Sequence, residues 1–196
     1  MSMTAWLVLG GLALVVAWAV AVYNRLVTLR NRIANAYGQI DVQLKRRYDL
    51  VPNLVEVARG YLQHEAATLQ AVIQARGQAQ GAADVARAAP SAAHLGALAA
   101  AEGALGAGLG RLLAVAESYP ELKADATMRQ LSEELASTEN RLGFARQAYN
   151  DQVLEFNDEA TQFPALIVAR LLGFAAAPML EATRSAQERE APAVRF

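Results

Sequence analysis

Between Met1 and Asn24 the chain carries no charged side chain, and from Ala5 to Val22 it carries nothing polar. At ~1.5 Å per helical residue, Ala5 to Tyr23 reaches roughly 27 Å, close to the ~30 Å hydrocarbon thickness that a spanning helix must cross. Trp6 near one end and Trp18 with Tyr23 near the other fall where amphipathic rings settle at the two membrane interfaces. A cleaved signal peptide is the competing reading. No Lys or Arg precedes the apolar run, the run exceeds the usual signal core, and it continues into a helical pattern, so residues 1–24 read as a retained anchor.

Arg25, Arg30 and Arg32 follow the span closely, whereas the short N-terminal side offers only its amine. The positive-inside rule then predicts Met1 outside and the C-terminal domain in the cytoplasm. The absence of Cys fits a reducing compartment and equally an exported protein without disulfides. A lipid-modified cysteine is ruled out on the same ground.

The remaining ~170 residues suffice for one domain with a real core. They are rich in Ala, Leu, Glu, Gln and Arg, which favour helix, and poor in strand signals. The expected fold is all-α: one transmembrane helix leading into an antiparallel bundle of about four long helices, with the bundle over 25–174 and a flexible tail over 175–196. A net charge of -1 gives no global attraction to nucleic acid, which is not expected as a partner.

Leu26, Leu29, Ile33, Ala36 or Tyr37, Ile40 and Leu44 recur at helical spacing. At Asp49-Leu50-Val51-Pro52 the reading is a kink or tight break, because Pro removes a donor and Asp49 can cap a new helix. That second helix would bury Val51, Leu54, Val55, Ala58, Leu62, Leu69 and Val72, and fade from Gly77 to Ala89. Pro90-Ser91 opens a third, with Leu95, Leu98, Leu105, Leu109, Leu112 and Leu113 on its seam. Its glycines, including Gly103, Gly106, Gly108 and Gly110, each cost about 1 kcal/mol against Ala, so tertiary contacts must hold it. After Tyr119-Pro120 a fourth helix shows a heptad repeat through Met128, Leu135, Leu142, Tyr149, Phe156 and Phe163. Leu131, Thr138 and Ala145 fill the intermediate seam, and Val153 and Ala160 take over as it drifts. A short apolar helix from Ala165 to Leu172 either caps the bundle or lies on the membrane surface, and Gly173 ends it.

In these residues the chain resembles the LemA family. The resemblance rests on Tyr23-Asn24 with Leu26-Val27 and Leu29-Arg30-Asn31, and on Ile40-Asp41-Val42-Gln43-Leu44-Lys45-Arg46-Arg47 running into Asp49-Leu50-Val51-Pro52-Asn53-Leu54-Val55. Gly60-Tyr61, His64-Glu65, Tyr119-Pro120, Leu122-Lys123-Ala124, Thr138-Glu139, Ala145-Arg146, Tyr149-Asn150, Phe163-Pro164 and Val194-Arg195-Phe196 follow in order. The resemblance implies a bacterial single-pass inner-membrane protein with a helical-bundle domain, and it implies no activity.

Catalytic signals are thin. With no Cys and only His64 and His94, a Cys-His pair is impossible, and position 68 is Thr where a zinc-protease helix would need His. No phosphate-loop Lys-Ser or Lys-Thr occurs. No cofactor, no metal and no enzymatic activity are expected. Asp151, Glu155, Glu159 and Asp158 form an acidic stripe that reads as facing water or Arg side chains rather than a cation.

The candidate interaction residues are Asp41, Lys45, Arg46, Arg47, Asp49, Asn53, Arg146, Tyr149 and Asn150. Lys45-Arg46-Arg47 reads as a solvated face with one or two ion pairs, or as a docking cluster for phosphate or an acidic partner. Tyr149, Asn150 and Asn157 near the apolar seam either fix helix register or line a small ligand pocket. The expected function is a non-enzymatic interaction or scaffold domain at the cytoplasmic face, with the lipid bilayer and an unidentified protein as partners. Self-association is left open, and the Gly10-Gly11 pair in the span permits close helix approach. The alternative is an extracytoplasmic ligand-binding sensor bundle.

Overall fold

The structure, a computed structural model, describes residues 2–180 of the 196. These fold into six α-helices: α1 (Met3–Tyr61), α2 (Ala66–Ala88), α3 (Ala92–Glu117), α4 (Pro120–Ala124), α5 (Ala126–Thr161) and α6 (Ala165–Leu171). The all-α expectation holds, with four long helices and two short ones among the described residues. The part of the expected tail from Glu181 onward lies outside the described residues.

Asp49–Pro52 does not break the chain. α1 runs through Pro52 to Tyr61, and the interruption falls at Leu62–Glu65. Proline deletes one amide donor, which frees the carbonyl four residues back. That carbonyl, of Tyr48, accepts instead from Arg76 Nε at 3.1 Å, so the helix passes the proline with its backbone satisfied. The predicted buried positions are still buried, but Val51, Leu54, Val55 and Ala58 lie on α1, Leu62 follows its end, and Leu69 and Val72 lie on α2. Nor does α2 fade at Gly77; it continues to Ala88 because Ala79, Ala83 and Ala86 carry its buried face onward.

The chain divides into two compact units. One comprises the residues up to Tyr37 together with Ala148–Met179; the other comprises Gly38–Gln147, with Leu180.

In the first unit the N-terminal part of α1 meets the last turns of α5, and α6 closes against both. Val22, Leu26, Leu29, Phe156, Ala160, Ala165, Val168 and Ala169 form its buried cluster, with Phe174 packed on the side. The two helices run antiparallel, as Arg32 pairs with Glu155 at 3.7 Å and Arg25 with Glu159 at 2.8 Å. The acidic stripe therefore does face Arg side chains at these two positions. Asn157 holds the chain after α6 from both sides: its Nδ2 donates to the Ala177 carbonyl at 3.0 Å and its Oδ1 accepts from the Ala177 amide at 2.8 Å. The heptad repeat of α5 fails at its last member. Phe163 lies beyond the helix end and is 80% exposed.

In the second unit α2 and α3 form a hairpin. Ser91 caps α3 by accepting the His94 amide at 3.1 Å. Leu95, Leu98, Leu105, Leu109 and Leu112 make the buried seam, as the periodicity predicts, while Leu113 is only half-buried. Gly108 faces α2, where an added Cβ would meet the Val72 side chain at 3.6 Å, an ordinary packing distance. Asp125 caps α5 by accepting the Met128 amide at 2.8 Å.

Among the described residues two helices, α1 and α3, are long and apolar enough to cross a membrane. They differ in what covers them. In α1, Trp6, Leu7, Val8, Leu12 and Leu14 are exposed, whereas the α3 seam is buried and includes a carboxylate, Glu102, engaged in an ion pair.

Candidate functional site: a buried ionic cluster beside an open groove

From Ile40 onward the buried stripe of α1 reads Ile40, Leu44, Arg47, Tyr48, Val51, Leu54, Val55 and Ala58. Arg47 stands three residues after Leu44 and four before Val51, so helical geometry turns it inward. On α3 the stripe runs Leu95, Leu98, Glu102, Leu105, Leu109, and Glu102 likewise occupies a seam position. Arg47 is 2% exposed and Glu102 4%.

Two such charges survive burial only by pairing, because a carboxylate or guanidinium removed from water without a partner costs several kcal/mol. Arg47 Nη1 lies 2.6 Å from Glu102 Oε2, and Arg47 Nη2 lies 3.0 Å from Glu139 on α5. Arg146 approaches the same Glu102 oxygen at 3.9 Å. Tyr48 donates its hydroxyl to Glu102 Oε1 at 2.6 Å. Burial, and then the Glu102 carboxylate beside it, push the Tyr48 phenol far above the ordinary tyrosine range, so it stays a protonated donor. The four charges balance, two guanidiniums against two carboxylates. Arg47 Nε and Gln43 Oε1 are buried with no hydrogen-bond partner among the described residues.

Beside this cluster an open groove of about 570 Å³ runs between α3 and α5. Gly96, Gly103, Gly106 and Gly110 line it from α3, and Ser132, Leu135 and Ala136 from α5, with Arg47, Glu102, Glu139 and Arg146 at its charged end. A Cβ at Gly96, Gly103 or Gly110 would meet nothing within 4 Å, and one at Gly106 would sit 3.6 Å from the Arg47 guanidinium.

The expected interaction residues divide among three places. Arg47 and Arg146 come together around Glu102, so Lys45-Arg46-Arg47 is not one solvated face: Lys45 and Arg46 are exposed while Arg47 points into the core. Arg46 reaches Glu134 at 3.7 Å. Asp41, Lys45 and Asp49 line a smaller hollow of about 350 Å³ with Gln80, Asp84 and Arg87, in which Asp41 and Arg87 pair at 2.6 Å. Asn53 is exposed and joins neither group. Tyr149 and Asn150 belong to the other unit, where Tyr149 donates its hydroxyl to the Pro178 carbonyl at 2.9 Å and stacks edge-on with Tyr37. Glu102, Tyr48 and Glu139 were missed as site residues. The signal for Glu102 was its place on the leucine seam, in an otherwise uncharged stretch from Ala88 to Gly110. No group of three or more His, Asp or Glu side chains suited to a metal ion is found among the described residues.

Fold and site together define a class: an all-helical protein whose first helix begins as an uncovered apolar segment and whose second unit buries a charge-paired cluster around Arg47 and Glu102. The chain belongs to the LemA family, whose model matches residues 36–196. It is also similar to magnetosome proteins MamQ 1 and MamQ 2 of Paramagnetospirillum magneticum, each 36% identical over 78 residues, and to magnetosome protein MamQ of Magnetospirillum gryphiswaldense, 32% identical over 78 residues. These alignments take in 40% of this chain and 29% of each relative, so the chain matches well under half the length of the curated relatives.

Proposed function

We propose that this protein is a membrane-anchored, non-enzymatic interaction domain, held at the cytoplasmic face of a bacterial inner membrane, where it keeps a protein partner or further copies of itself. The carrying observation is α1. Its large apolar side chains from Trp6 to Val20 are uncovered, and from Leu26 the same helix is built into a core, so whatever holds the first stretch holds the folded protein. The buried ionisable groups engage one another, an arrangement suited to a rigid scaffold rather than to proton transfer. Arg25, Arg30 and Arg32 favour the cytoplasmic side. A second reading, an extracytoplasmic sensor, is favoured by the groove, whose volume falls in the range of small-ligand sites.

Cysteine labelling in intact cells separates the two. The native chain has no Cys, so Ser2→Cys and the exposed α2 position Gln74→Cys can each be challenged with a thiol reagent that cannot the membrane cross. Labelling of Ser2→Cys alone supports the cytoplasmic scaffold. Labelling of Gln74→Cys alone overturns it in favour of the sensor.

A further inference from the structure

We propose that the protein touches the bilayer a second time, through the outer face of α6 and the turn before it. The inference rests on the reading of Ala5–Tyr23 as a spanning segment, and it holds whichever side of the membrane the bundle occupies. Within the first unit the antiparallel register is fixed by three pairs: Tyr37 with Tyr149, whose ring centroids are 6.0 Å apart, Arg32 with Glu155, and Arg25 with Glu159. Moving one residue down α5 moves about one residue back along α1, so the last residue of α5, Thr161, falls level with roughly residue 24, and Phe163 follows in the turn beside the end of the span. α6 is seated at the same level. Its Ala165, Val168 and Ala169 pack in one cluster with Val22 and Leu26, against which Ala19 of the span also packs. Phe174, just past α6, meets the Tyr23 ring edge-on at 5.8 Å.

The side chains pointing away from that cluster are large and apolar. Phe163 and Leu171 are each 80% exposed, and Ile167 and Leu172 are about half exposed. Four such residues on a segment seated against α1 where the span passes into the core, from Val22 to Leu29, match the chemistry of the interfacial zone, into which apolar faces sink and from which cationic side chains reach the phosphates. Arg170, exposed on α6 between Ile167 and Leu171, and Arg30, stacked over the Phe174 ring at 5.6 Å, supply those cations. The occupant is the phospholipid bilayer that already holds α1.

Tryptophan fluorescence of the full chain in vesicles carrying brominated acyl chains tests this. F163W and L171W are each placed in a W6F/W18F background, and W6F alone, retaining Trp18, reports insertion of the span. The expected result is blue-shifted emission from both, quenched about twofold by the brominated lipid and shielded from iodide, as interfacial burial requires. Trp18 quenched without quenching at 163 and 171 overturns the second contact while leaving the anchor intact. Blue-shifted emission at 163 and 171 without quenching overturns it in favour of cover by a second protein chain. Absence of quenching at all three positions overturns the anchor as well.

Discussion

Arg76 donates its Nε–H to the carbonyl oxygen of Tyr48, the one acceptor in α1 that Pro52 deprives of its helical partner. A residue of α2 thereby replaces a backbone donor in α1, and α1 stays helical through a proline that otherwise ends or kinks a helix.

This substitution of donors predicts a coupled pair of mutations. R76M should lower stability by about 1 kcal/mol, the worth of one partly buried hydrogen bond. P52A should raise it by about 1 kcal/mol or more, since it restores an amide donor and removes the ring. In the P52A background the cost of R76M should shrink, because Tyr48 then has its own helical partner. Urea unfolding of the four proteins gives the coupling energy, and strict additivity would show that Arg76 and Pro52 act independently.

The pairing of Arg47 with Glu102 predicts an asymmetry between single and double replacement. E102A strands a buried guanidinium with only Glu139 close by and should cost about 3 kcal/mol or more. R47M/E102L, which removes both charges and fills similar volume, should lie within about 1 kcal/mol of the wild type. Denaturant midpoints at constant slope decide it. A double variant as unstable as E102A would mean that the cluster stabilises through Tyr48 and Arg146 rather than through the pair.

The legible parts of this fold were the ones written as period. The leucine seam of α3 and the heptads of α5 as far as Phe156 are buried where the spacing puts them. The hidden parts depend on partners remote in sequence. Pro52 reads locally as a helix break, and only Arg76, 24 positions later in the chain, cancels that reading. Arg47 reads as one of three basic surface residues until Glu102, 55 positions away, gives it a reason to face inward. Phe163 continues the heptad in sequence but falls after α5 has ended. At Arg47 periodic position outweighs charge type, and at Phe163 helix length outweighs periodic position.

Acid should expose the cap of α5. Asp125 accepts the Met128 amide and the Tyr61 hydroxyl, and the amide bond first holds its carboxyl below the usual aspartate range. A carboxyl depressed in the folded state contributes stability that is fully present above its unfolded pKa and is lost as pH falls through the folded one. D125N keeps a capping oxygen but not the charge. Wild type should therefore melt higher than D125N at neutral pH, and the gap should close as pH drops below the ordinary aspartate range. Melting temperatures of both proteins across that window test it, and a gap that persists at the acid end would assign the effect to shape rather than charge.

Asn157 predicts a local effect rather than a global one. Its amide is bonded on both sides to a single residue, donating to the Ala177 carbonyl and accepting the Ala177 amide, while Tyr149 holds the next carbonyl, that of Pro178. Ala177 lies outside any helix, so the Asn157 side chain supplies the two backbone partners that secondary structure does not. N157A removes two hydrogen bonds together and should cost about 2 kcal/mol in total. It should also speed hydrogen exchange at the Ala177 amide far more than at amides within the α3 seam, because only the segment after α6 is released. N157D is the discriminating variant. It keeps the acceptor for the Ala177 amide but sets a carboxylate against the Ala177 carbonyl, so it should protect the amide poorly despite its matching size. Equal protection in N157D and wild type would mean that shape, not the two-sided amide, fixes the segment.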